Sequence, residues 1–124
     1  MKTIATLLIA FSLLGFTTGA HAADKLHHVV CFKFKTTATP QDIKQVEDAF
    51  RALKEKIPEI SSLKWGTNIS QEKRDKGFTH CFILTFKTVK DRDTYLEHPE
   101  HKAFGKLVGP VLDDVFVLDF KSKK

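Results

Sequence analysis

Five histidines, one tyrosine and two cysteines carry most of the reactive chemistry of this chain beyond its leader-like start. Histidine titrates near neutral pH, so it can take or give a proton without help from a metal. His98 and His101 stand three residues apart around Pro99, with Tyr95, Glu97 and Glu100 close by. His28 and His80 lie far from them in sequence, each in an alternating apolar run. A zinc site would be one use of such a set. However, His98 and His101 lack the four-residue spacing that brings two histidines onto one helix face, and no carboxylate is fixed as a ligand. The sequence therefore predicts no metal. Two plainer roles stay open: His98 and His101 tying down a helix end, and His28 and His80 hydrogen-bonding across a sheet.

The elements that must position these residues can be read from periodicity. His28 to Lys35 alternates, with His28, Val30, Phe32 and Phe34 on one face and Val29, Cys31, Lys33 and Lys35 on the other. This is a strand. Thr39 followed by Pro40 reads as an N-cap with proline at the first helical position, and Ile43, Val46, Phe50, Leu53 and Ile57 recur at steps of three and four. An amphipathic helix follows, ending at Pro58. Leu63, Trp65, Thr67 and Ile69 alternate in a second strand, a charged turn spans Gln71 to Gly77, and Phe78, His80, Phe82, Leu84 and Phe86 share one face of a third. Thr88 and Asp91 have the form of a capping box for a second helix, which Pro99 interrupts after His98. Ala103 to Leu112 read as a short helical piece, with Gly105 and Gly109 in no phosphate-binding pattern. The last strand runs from about Asp114 to Lys121, alternating Phe116, Leu118 and Phe120.

Strand, helix, strand, strand, helix, strand is the split βαβ plan, an α+β fold with both helices on one face of a four-stranded antiparallel sheet. The uncovered face carries Val29, Cys31, Cys81, Ile83 and Thr85, too apolar to face water. A second copy of the chain is the expected cover, closing two sheets into a barrel.

Composition agrees with one small domain. The chain has 124 residues, 42% of them apolar, with 11 phenylalanines and a formal charge of +5. That excludes disorder, collagen and coiled coil. Lysines alternate with acids and the aromatics fall on core-like strand faces, so nucleic-acid binding is not expected. Residues 1–22 read as a signal peptide: Lys2 is the positive start, Ile4 to Phe16 the apolar stretch, and Ala20-His21-Ala22 the cleavage signature. The stretch is broken by Ser12 and Gly15 and is too short to span a bilayer. Residues 23–124 are then a periplasmic or secreted domain with no membrane attachment after cleavage. Cys31 and Cys81 would sit in a disulfide-permissive compartment, yet neighbouring central strands usually offer poor bridge geometry, so buried reduced thiols are expected.

His28 to Lys35, Ile57-Pro58, Trp65-Gly66, Gly77 to His80 and above all Tyr95-Leu-Glu-His-Pro-Glu-His101 resemble the stress-responsive A/B barrel family, over nearly all of the chain after the leader. The resemblance implies a ferredoxin-like protomer in a homodimeric α+β barrel. It also implies a cofactor-free site, by similarity to a plant polyketide cyclase type that makes an aromatic acid by aldol condensation. On that similarity Tyr95 and His101 match the catalytic pair, and His28 and His80 match pocket histidines. Phe50 replaces a pocket tyrosine, which changes the expected substrate. His101 would act as base, and Tyr95 would fix its tautomer or donate to an enolate oxygen. His28 and His80 would polarise a carbonyl. Val30, Phe32, Phe50 and Phe82 would bind a small apolar or polyketide-like ligand. The alternative function is a non-catalytic stress-response binding protein.

Overall fold

The computed structural model describes residues 24–124, so the leader and its cleavage point lie outside the described residues. The elements are β1 (Leu26–Phe34), α1 (Pro40–Lys56), β2 (Ser62–Thr67), β3 (His80–Phe86), α2 (Val89–Glu97), α3 (Pro99–Val108), a 3-10 turn at Gly109–Val111 and β4 (Leu112–Lys121). The four strands form one antiparallel sheet in the order β2-β3-β1-β4, the ferredoxin-like arrangement.

Period-two alternation in β1 and β3 sends Val30, Phe32, Phe82, Leu84 and Phe86 to one face, where they meet Val46, Phe50 and Leu53 of α1 and Phe104 and Val108 of α3. Burial of each large apolar side chain contributes about 1.5–3 kcal/mol, so this layer is the main stabilising block. α1 starts where the sequence places it. The Thr39 hydroxyl accepts from the Asp42 amide, the Asp42 carboxylate accepts from the Thr39 amide, and Pro40 takes the first helical position.

Four boundaries differ from the sequence reading. β2 ends at Thr67, and Ile69 is 91% exposed. The alternation through Ile69 has no partner strand, because the chain turns away at Asn68, whose side chain accepts from the Ser70 amide. Phe78 precedes β3 and does not share its buried face. The helix after Pro99 starts at Pro99 itself rather than Ala103, because the His98 imidazole acts as its N-cap, Nδ1 accepting from the Glu100 amide at 3.1 Å. β4 correspondingly begins at Leu112.

The other face of the sheet carries no helix. Val29, Cys31, Cys81 and Ile83 lie there, and the β1–β4 register adds Phe116, Leu118 and Phe120 beside them. Cys31 and Cys81 are unbridged. Among the described residues, no helix is long and apolar enough to cross a membrane.

Candidate functional site

His28 lies on the helix side of β1, opposite Asp119 of β4. Its Nδ1 sits 2.5 Å from Asp119 Oδ1, and the other carboxylate oxygen accepts from Arg92 Nη1 of α2. A carboxylate can only accept, so His28 Nδ1 carries the proton. Three elements thereby fix one buried imidazole. Asp119 is a residue that sequence reasoning missed, although the Val115, Val117, Asp119 alternation puts it on the helix side.

The junction of α2 and α3 supplies the next two groups. Because Pro99 follows, His98 takes an extended backbone (ψ 136°) and the helix path breaks there. His101 then falls in the first turn of α3, with Nδ1 3.0 Å from the Leu96 carbonyl oxygen. A carbonyl only accepts, so in the neutral ring Nδ1 bears the hydrogen and Nε2 keeps its lone pair. Burial pushes the His101 pKa below the usual histidine value. Nearby His28 acts in the same direction, against the hydrogen bond to Leu96 and the charge of Glu97. A neutral imidazole at pH 7 follows.

Tyr95 packs between the two histidines. It is 1% exposed, its ring centroid 4.5 Å from that of His101 and 5.7 Å from that of His28. Burial raises its phenol pKa, so the ring keeps its proton and is a donor rather than a base. The tautomer of His101 is set by the Leu96 carbonyl, not by Tyr95.

Tyr95, His101 and His28 thus come together, and His80 does not join them. It pairs with Phe32, four residues from His28, or about 13 Å along the strand. Its Nδ1 shares a 2.8 Å hydrogen bond with the Thr79 hydroxyl, and Phe34 and Trp65 pack against its ring. His80 Nε2 is buried with no hydrogen-bond partner among the described residues, and Glu47 Oε1 is 3.6 Å away. Between the two ends lie Val30, Phe32, Phe50 and Phe82, all buried. Phe50 and Phe82 stack with centroids 3.9 Å apart, so these side chains pack against one another.

A cavity of about 580 Å³ lies at the uncovered face, under the 68–79 loop. Cys31, Cys81, Ile83 and Phe116 line it on the sheet side, with Lys64, Arg74 and Lys76 also at its walls. The sequence reading saw this loop only as a charged turn. Its path depends on left-handed backbone at Lys73, Lys76 and Gly77, and a Cβ on Gly77 would stand 2.7 Å from Lys33 Cε. Among the described residues, no group of three or more His, Cys, Asp or Glu side chains is gathered for a metal ion.

Residues 26–122 match the family described as the stress responsive A/B barrel domain. The chain is 30% identical over 100 residues to a stress-response A/B barrel domain-containing protein of Arabidopsis thaliana, covering 81% of this chain and 92% of the relative. It is 26% identical over 97 residues to olivetolic acid cyclase of Cannabis sativa, covering 78% and 96%. Among solved structures, hydroxynitrile lyase from Passiflora edulis superposes with a TM-score of 0.77 at 27% identity, covering 82% of this chain and 96% of that one. A dimeric ferredoxin-like protein of unknown function from Bacteroides fragilis shares the fold, with a TM-score of 0.65 at 23% identity over 80% and 97% of the two chains.

Proposed function

The chain belongs to the stress responsive A/B barrel domain family, and from that premise we propose that it is an exported, homodimeric, cofactor-free enzyme for proton transfer on a small carbonyl compound. The observation that carries this reading is the hydrogen bond from His101 Nδ1 to the Leu96 carbonyl, which leaves Nε2 free as a base beside a protonated Tyr95. Relatives named as a cyclase and as a lyase support an enzyme.

In this reading His101 Nε2 removes a proton from carbon between two carbonyls. The electron pair of the broken C–H bond moves onto the carbonyl oxygen, and the Tyr95 hydroxyl stabilises the enolate by donating to it. His28, held by Asp119 through its Nδ1 hydrogen, packs against Tyr95 and helps fix the position of that ring. The substrate class is a small β-dicarbonyl or polyketide-like molecule. His80 takes no part in the proton transfer.

The test is a screen of the chain from Ala23 onward against such compounds, followed by His101→Ala on any hit. Turnover lost in the variant supports the base, and turnover that survives removes it. The second reading is a non-catalytic binding protein. Its mark is a saturable ligand with no turnover that still binds His101→Ala.

Assembly and export have their own tests. Dimeric structural neighbours and the apolar uncovered face support a homodimer. Ile83→Asp would bury an unpaired charge in the interface, so sedimentation should show a wild-type dimer at micromolar concentration and a monomeric variant. The Ala20-His21-Ala22 signature supports processing. Intact mass of natively exported protein should begin at Ala23.

A further inference from the structure

Of the two histidines in β1, His28 faces the helices and His27 faces the uncovered side, with Val29 and Cys31. The register lines up Ser62, Thr85, His27 and Phe120 across the four strands as one row on that side. His27 is half-buried there. Its ring stacks on Phe120 with centroids 4.9 Å apart, and its Nδ1 shares a 3.3 Å hydrogen bond with the Thr85 hydroxyl. A hydroxyl serves as donor or acceptor, so this contact suits a neutral ring.

The charges nearest to it in the sheet are of one sign. On β2, Lys64 occupies the next row of the same face, opposite Ile83. Lys25 and Lys87 lie two residues beyond His27 and Thr85, past the ends of β1 and β3. The other titratable groups that β1 and β3 bring to this part of the face are the thiols of Cys31 and Cys81, two rows away. β4 brings Phe120 and Leu118, while its Asp119 points to the helix side and is held by His28 and Arg92. Asp114 stands at the far end of the face, opposite Lys33, about 20 Å along β1 from His27. In a two-fold dimer the covering surface is the same face of the second copy, so it brings the same apolar side chains and lysines.

Burying a charge without a partner is costly, and only the protonated ring carries that cost. Attraction between an imidazolium and the Phe120 ring is present in the lone chain and in the dimer alike, so it favours neither. We propose that His27 makes assembly depend on pH: the neutral ring permits the homodimer, and the protonated ring drives the two copies apart. This rests on the homodimer reading above. Each copy brings one His27, so the association of two protonated chains sheds two protons. The separated chains then bind more protons than the dimer, and falling pH favours them.

The experiment measures sedimentation of natively exported protein over a dilution series at about pH 7.5 and about pH 5.5, alongside His27→Gln, His27→Phe and His101→Gln. The wild-type dissociation constant should rise about 100-fold from the higher pH to the lower, the limit for two histidines that titrate in that window, with far-UV circular dichroism unchanged. Both His27 variants should stay dimeric at both pH values. His101→Gln should follow the wild type, since its site lies on the other side of the sheet. A wild-type monomer at the higher pH would overturn the homodimer reading and this inference with it. A wild-type dimer whose dissociation constant holds or falls toward acid, that unfolds instead of dissociating, or whose rise is matched in both His27 variants would overturn this inference alone.

Discussion

His28 and His80 share the same buried face of one sheet, about four residues apart along it, yet they are held in different ways. His28 is anchored by charge: Asp119 from β4 and Arg92 from α2 fix its ring, and Tyr95 and His101 stand beside it. His80 is anchored by packing, against Phe34 and Trp65, with Nε2 left without a partner. The first arrangement assigns each nitrogen a role before any ligand arrives. The second fixes the position of a ring but leaves its protons undirected. Burial alone thus does not make a histidine catalytic; what differs is the set of acceptors that decides where the hydrogen resides.

The largest test of this contrast is a pair of alanine variants. His101→Ala should lower turnover by about 100- to 10,000-fold, the usual cost of removing a general base, while His80→Ala leaves turnover nearly unchanged. Steady-state kinetics on a hit compound would break the contrast if the two losses were alike.

Phe82→Ala comes next, with an expected loss of about 3–5 kcal/mol in urea unfolding, because the Phe50–Phe82 stack leaves nothing to collapse into the gap. A near-neutral result would mean that the two ends are joined by open space rather than by packed core. Tyr95→Phe should cost about 100-fold in kcat, the loss typical of one donor to a developing oxyanion, with KM little changed and the fold intact.

The smallest effect is on stability against pH. Burial lowers the folded-state pKa of His101 below the usual value of about 6.5. The unfolded chain therefore binds the proton first as pH falls. The contribution of neutral His101 is fully present above about pH 6.5 and is lost as pH falls through the lowered folded value. Denaturant midpoints across that window should slope downward toward acid in the wild type and flatten in His101→Gln. An equal slope in both would move the titration to another group.

Much of this was legible in the sequence where one local rule governed. Thr39-Pro40 and the Ile43 to Ile57 stripe give α1 its start, its inward face and its end. The alternation of β1 and β3 separates the two faces of the sheet correctly. The rule failed where two local preferences met. That His98 and His101 could tie down a helix end was readable from their places around Pro99, but that the His98 imidazole caps the start of α3 was not, since histidine is not among the usual capping residues. Ile69 continued a pattern whose partner strand had already ended. The site was half legible: residue types pointed to Tyr95, His101 and His28, but the acceptors that set their protons were not. Leu96 acts through a backbone carbonyl, which every residue has, and Asp119 is brought to His28 only by strand register. The His80 end shows the converse, since the residue type suggested a second polar group at the same site and the spacing along β1 removed it.

The β1–β4 ladder sets the order in which the molecule can be finished. β1 begins at Leu26 and pairs in register with Lys121, so the first strand to leave the ribosome waits for the last. Until Asp119 emerges, 91 residues after His28, that histidine has no carboxylate and Arg92 has no strand to hold. Pairings so distant in sequence form slowly, because the whole intervening chain must be confined first. A growing chain therefore stays unlatched through most of its synthesis, and the contacts of Asp119 with His28 and Arg92 form only when the final strand locks onto the first.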